Sequence, residues 1–266
     1  MIDGCLNIVD VGCRWGFEER IHSLNIPFNY WGFDPDKEEC ARLSASLPSN
    51  YRFEPICLGS RTGKCKVFIT KEPACSSLYR PNEFYFEHYK QLSGMELTGT
   101  SQAKVSRLDK WCKRNSLRHI DYLKLDSQGS ELSILKGCGK LLKTVLALDI
   151  EVQFNPLYLG AAPFWQVDKL LRKAGLVLYN FETLCHYDTP SSRLTSKSLR
   201  VAFDQLDNQV PMGSGQLFWG DAFYVRETLL PANLCQAMPA DLVRAKNLFS
   251  LLGKQDFLSN LPPKAA

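Results

Sequence analysis

The sequence predicts a doubly wound α/β fold: one sheet of seven strands, with helices on both faces. Three observations carry this. Short apolar runs without polar alternation recur along the chain, as in buried parallel strands. Helical patterns separate most of them, as in strand–helix–strand units. Several runs end on an acid, with a glycine turn and a helix start after the first and the fourth. Folds of this kind bind ligands outside the carboxyl ends of their strands.

The first run is Leu6-Asn7-Ile8-Val9-Asp10-Val11, followed by Gly12-Cys13-Arg14-Trp15-Gly16. A dinucleotide turn needs G-x-G-x-x-G, so that backbone can close on a pyrophosphate. Here Arg14 stands at the second glycine, and its side chain would crowd a pyrophosphate. A nucleoside ligand without pyrophosphate fits better, and S-adenosylmethionine (SAM) is one. Its carboxylate can use the free N–H groups of a helix starting near Gly16. Asp10 offers negative charge to its ammonium, and Gly12 and Gly16 let the backbone approach. The plainer alternative is a strand followed by any tight turn.

After Gly16, residues Phe17, Ile21 and Leu24 mark a helical face. The second strand spans 30–33, and Asp34-Pro35-Asp36 follows it. Asp34 lies about twenty residues beyond the glycine turn, where an acid grips the ribose hydroxyls. Phe33 beside it joins the candidate cofactor residues. Asp36 with Glu39 reads as a capping box for a helix over 37–47, and the aspartates could do no more than start that helix. A third strand spans 51–58, and an alternating strand returns over 64–70. The segment 72–104 has no clear period. It carries Ser76-Ser77 and an aromatic cluster from Phe84 to Tyr89, and reads as a lid or binding loop, or as a short packed helix.

A helix is expected over 105–115, then the fourth strand, Ile120-Asp121-Tyr122-Leu123-Lys124-Leu125-Asp126. Ser127-Gln128-Gly129-Ser130-Glu131 opens the helix that runs through Leu132, Leu135 and Leu141. The fifth strand, over 145–151, ends on Glu151. An amphipathic helix over 164–174 stops at Gly175, and the sixth strand spans 177–181. A second long loop covers 183–214, and the last strand spans 216–226. A helix over 241–252 and a loose Pro-Pro-Lys end complete the chain. The reading makes 1–230 one domain and 231–266 a C-terminal helix and tail.

Bulk properties are those of an ordinary globular protein. Of the 266 residues, 45% are hydrophobic and 23% charged. A net charge of +4 is too slight to argue for nucleic acid or a membrane surface. The ten cysteines are scattered without a C-x-x-C pair, so reduced core thiols in a cytoplasmic protein are expected. No metal-ligand spacing is present, and no run reaches membrane-spanning length. The first strand begins almost at Met1 without a basic, apolar leader, an abrupt start that leaves room for a longer natural N-terminus. The sequence is silent on oligomeric state.

With these residues assembled, the chain resembles the FkbM family of SAM-dependent methyltransferases. The resemblance rests on Ile8-Val9-Asp10-Val11-Gly12, Gly32-Phe33-Asp34-Pro35-Asp36 and Ser76-Ser77-Leu78. It rests most on the 120–126 motif with Gly129, Glu131 and Leu135-Lys136-Gly137. Glu151-Val152-Gln153-Phe154-Asn155-Pro156-Leu157-Tyr158 and Gly220-Asp221-Ala222-Phe223-Tyr224-Val225-Arg226 complete it. It implies a Rossmann-like, mostly parallel seven-stranded sheet with an antiparallel last strand. It also implies O-methylation, commonly of sugar or polyketide hydroxyls. The family commonly reads Asp-Val-Glu-Gly where this chain has Asp126-Ser127-Gln128-Gly129. If the missing carboxylate were a base or a metal ligand, this chain would lack it. The helical segment often found before the first strand is missing too.

Asp126 and Glu151 end adjacent central strands and are the first candidates for the site. Asp126 is expected near the methionine end of SAM, and Glu151 near a small-molecule or glycan acceptor. His186, in a cleft-side loop, is a further candidate base. Each carboxylate could instead cap a helix or pair with an arginine. Two other readings share the sheet: a non-catalytic SAM or nucleoside binder, and an NAD-dependent oxidoreductase, which Arg14 opposes.

Overall fold

The computed structural model describes residues 5–14, 16, 26–187 and 215–261. Seven strands form the main sheet: β1 (Leu6–Val11), β2 (Phe28–Phe33), β3 (Tyr51–Glu54), β7 (Tyr122–Leu125), β8 (Ala147–Gln153), β9 (Leu176–Tyr187) and β10 (Gln216–Arg226). Their order is β3-β2-β1-β7-β8-β10-β9. The first five pair in parallel, while β10 runs antiparallel to both β8 and β9. The doubly wound fold with an antiparallel last strand is therefore the observed one. Every residue of β1 is buried, as its run of apolar residues requires. The strand order reverses at β1 and β7, so the crevice opens beside Gly12 and Asp126.

A second sheet, of order β4-β6-β5, flanks the first. It contains β4 (Cys57–Leu58), β5 (Gly63–Thr70) and β6 (Leu97–Ser106), and it corrects three expectations. The expected strand over 51–58 breaks at Pro55, which has no N–H to donate. Ile56 N–H turns back to the Glu54 carbonyl at 2.8 Å, and β4 joins the other sheet. The end of the supposed lid, with Val105 and Ser106, is strand β6, antiparallel to β5. Most of β6 is half-buried or exposed, so it lacks the apolar run that marks a core strand. The helix expected over 105–115 consequently begins only at α3 (Leu108–Arg114).

Helices α3, α4 (Glu131–Cys138) and α5 (Phe164–Lys173) cover one face of the main sheet. Leu108, Trp111, Ile134, Leu135, Val167 and Leu171 meet Val9, Leu123, Leu148 and Ile150 there. On the other face, Ala245, Leu248 and Phe249 of α6 (Pro239–Leu251) and Phe257 of α7 (Gln255–Asn260) pack on Leu6, Ile8, Tyr30 and Phe223. Helix α1 (Lys37–Ser46) follows β2, and α2 (Glu83–His88) lies within the segment before β6. Helix α4 is shorter than expected and stops at Gly139, whose φ is +55°. Residues 183–187 continue β9 rather than opening a loop. The expected helix with Phe17, Ile21 and Leu24, the stretch 188–214 and the Pro-Pro-Lys end lie outside the described residues.

Candidate active site

The glycine turn is tight for a reason beyond its own geometry. Gly12 has φ +83°, and a Cβ there would sit 1.7 Å from the Asp126 carbonyl oxygen. Glycine thus lets the end of β1 press against the end of β7. Gly12 N–H bonds the Phe33 carbonyl at 2.9 Å, which ties β1 to β2 at the same level. Arg14 pairs with Asp36 at 2.6 Å. Asp36 in turn caps α1, accepting from Glu38 and Glu39 N–H at 3.0 and 3.1 Å. Asp34 accepts from Asp36 N–H at 2.8 Å. Burial raises the Asp34 carboxyl above its usual range, opposed by that N–H and by Arg14.

These groups border a cavity of about 570 Å³. Gly12, Gly16, Phe33, Asp34, Asp126 and Gln128 line its main-sheet side. Leu58, Val67 and Ile69 of the second sheet give it an apolar wall. The second sheet is therefore part of the cleft, which the sequence reading did not foresee.

At the ends of β7 and β8 the acids cluster. Gln128 Nε2 donates to Asp126 Oδ1 at 2.9 Å and to Glu151 Oε2 at 3.0 Å. The Tyr158 hydroxyl lies 2.7 Å from Gln128 Oε1. Ser77 Oγ donates to the Gln128 carbonyl at 2.6 Å. Glu151 is 7% exposed, and its carboxyl is raised well above the usual range. Burial is the main cause, followed by the charges of Asp126, Glu131 and Asp221. Glu131 folds back to accept from Ser127 N–H at 2.8 Å, Ser127 Oγ at 2.9 Å and Gly129 N–H at 3.2 Å. Burial pushes its carboxyl up to about 7. Asp221 stands opposite Glu151 on β10, and burial, then Asp126, brings it to about 6. Such raised carboxyls can hold or take a proton near neutral pH.

The structure thus brings Gly12, Gly16, Phe33, Asp34 and Asp126 to one cavity, with Glu151 joined to its edge through Gln128. Asp10 is fully buried beneath the turn. Its oxygens are taken by the Tyr30 hydroxyl at 2.8 Å and Lys124 Nζ at 3.5 Å, and it is not part of the cavity wall. His186 lies in strand β9 opposite Leu217, not in a loop, and also stays off the wall. Sequence reasoning missed Lys124, Ser77 and Tyr158 as site residues, although all three stand inside quoted motifs. Gln128 drew notice only as a departure from the family pattern. Among the described residues no three His, Cys, Asp or Glu side chains are grouped to hold a metal ion, and no helix is long and apolar enough to cross a membrane.

The sequence model of the family described as "Methyltransferase FkbM domain" matches residues 20–178. No curated protein matches the chain. Among solved structures, the chain is similar to magnesium protoporphyrin IX methyltransferase from Synechocystis PCC 6803 with bound SAM. The identity is 10% and the TM-score 0.36, over 85% of this chain and 72% of that one.

Proposed function

The chain belongs to the FkbM methyltransferase domain family, and from that premise we propose that it methylates a hydroxyl of a sugar, glycan or related natural product. The methyl donor is S-adenosylmethionine. The observation that carries the reading is the Asp126–Gln128–Glu151 cluster at the edge of the cavity that Asp34 and the glycine turn also line. Asp34 is suited to the ribose, since one carboxylate accepts from both hydroxyls. The backbone around Gly12 and Gly16 is suited to the amino-acid end, and Asp126 lies on the same wall. Asp10 contributes from below, through Lys124.

In the reaction the acceptor oxygen attacks the methyl carbon as the carbon–sulfur bond breaks. The products are a methyl ether, S-adenosylhomocysteine and a proton. The protein supplies alignment, worth about 7–11 kcal/mol when the approach is well ordered, and a base for the proton. Glu151 suits that role: it is buried, burial raises its carboxyl above the usual range, and it lies one hydrogen bond from a cavity-lining residue. His186 is the weaker candidate for base, since it stands on the edge strand away from the wall.

Isothermal titration with SAM, with NAD as the control, tests the cofactor. Micromolar SAM binding and no NAD binding support the reading, and the reverse would sink it. Transfer of radiolabelled methyl from SAM to a panel of sugars and glycolipids then tests the acceptor class. An alkali-stable product is expected of an ether, whereas a methyl ester would be hydrolysed.

A further inference from the structure

Two carboxylates at adjacent strand ends repel each other unless something stands between them. In this chain that something is an amide. Both N–H groups of Gln128 are used, one on Asp126 at 2.9 Å and one on Glu151 at 3.0 Å. The amide cannot turn over without a penalty, because its oxygen would then face both carboxylates; the Tyr158 hydroxyl lies 2.7 Å from Oε1 on the other side and 2.9 Å from the Cys75 carbonyl. Its backbone is held as well. Gln128 has φ +56°, a left-handed conformation that side chains other than glycine rarely adopt. Ser77 clamps its carbonyl at 2.6 Å. A residue kept in an unfavourable conformation by contacts on three sides is over-determined, as functional positions often are.

We propose that Gln128 is a positioning residue of the methyl-transfer site. Its amide sets the separation of Asp126 and Glu151 and fixes which oxygen of each remains available. Asp126 Oδ1 and Glu151 Oε2 are the oxygens it engages. The amide does this where a third carboxylate would call for a cation or a shared proton to hold the same geometry. The inference rests on the methyltransferase reading for its functional sense, but the bridge itself is a matter of donor and acceptor chemistry.

The experiment is calorimetry on the full chain, with MnCl₂ as one titrant and SAM as the other. Three proteins are compared: wild type, Gln128→Glu and Gln128→Met. Glutamate at this place puts three carboxylates within hydrogen-bond distance, and methionine keeps the length but donates nothing. Gln128→Glu is expected to bind Mn²⁺ at least about tenfold more tightly than wild type. Without metal, both variants are expected to bind SAM about tenfold more weakly, as loss of a charge-assisted bond predicts. Mn²⁺ should restore SAM affinity to Gln128→Glu and not to Gln128→Met, a rescue that general loosening of the fold would not produce. Wild-type SAM affinity in Gln128→Met overturns the proposal, and so does a folded Gln128→Glu protein without added Mn²⁺ affinity. If Gln128→Glu does not fold, the methionine variant decides alone. Should wild type fail to bind SAM, the methyltransferase reading falls, while the Mn²⁺ comparison still decides the bridge.

Discussion

Three residues carry the sharpest expectations. Asp34 is buried at the rim of the cavity and accepts from Asp36 N–H. Asp34→Ala should raise the SAM dissociation constant by about 10–100-fold, the worth of one or two hydrogen bonds to a charged group. The melting temperature should change little. Unchanged affinity in calorimetry would remove Asp34 from the site. Glu151→Gln should preserve SAM binding and lower the rate of methyl transfer by about 10²–10⁴-fold, as expected for loss of a general base. A full rate in single-turnover assays would assign the proton to another group. Gly12→Ala forces a methyl group to within 1.7 Å of a carbonyl oxygen. It should destabilise the protein by about 1–3 kcal/mol or more in urea titration, beyond any effect on the cofactor.

At the scale of the element, α4 shows how a helix start can serve the site. Glu131 closes the turn between β7 and α4 by accepting from two backbone N–H groups and one hydroxyl. Burial places its folded value at about 7, against about 4.3 in the unfolded chain. Between those values the folded state keeps a proton that the unfolded state has lost, so this group's contribution makes stability fall as pH rises through the window. Glu131→Gln retains an acceptor oxygen and does not titrate. Its melting temperature should therefore decline less than that of wild type between about pH 5 and pH 7. An identical decline in both proteins would show that other acids set the slope. Strand β6 shows the opposite case for legibility. It is real because β5 pairs with it residue by residue, yet its own residues, Leu97-Thr98-Gly99-Thr100-Ser101, carry little apolar signal.

For the whole molecule, the C-terminal helices decide whether the sheet has two covered faces. Phe249 is fully buried and stacks on Phe257 with ring centroids 4.3 Å apart. Phe249→Ala should cost about 3–5 kcal/mol, read as a shift in the urea midpoint with an unchanged slope. Because α6 and α7 sit over Leu6, Ile8 and Phe223, removal of residues 231–266 should expose that face and raise binding of a hydrophobic dye. A truncated chain that melts like the intact one would show that the sheet holds without them.

The strands of the main sheet, the glycine turn, the acids at the strand ends and the family can be read from the chain alone, because those features are local. Apolar runs, a glycine spacing and an acid at a fixed offset are all read within a few residues. Even there, Pro55 split a strand that hydrophobicity alone had joined. Only the tertiary structure decided which partners those acids have. Asp10 went to Tyr30 and Lys124, Arg14 went to Asp36, and Glu151 went to Gln128, a residue twenty-three positions away in the chain. Hydrogen bonds between strand ends depend on the register and order of the sheet. A short polar side chain carries no mark of which neighbour the fold will set beside it.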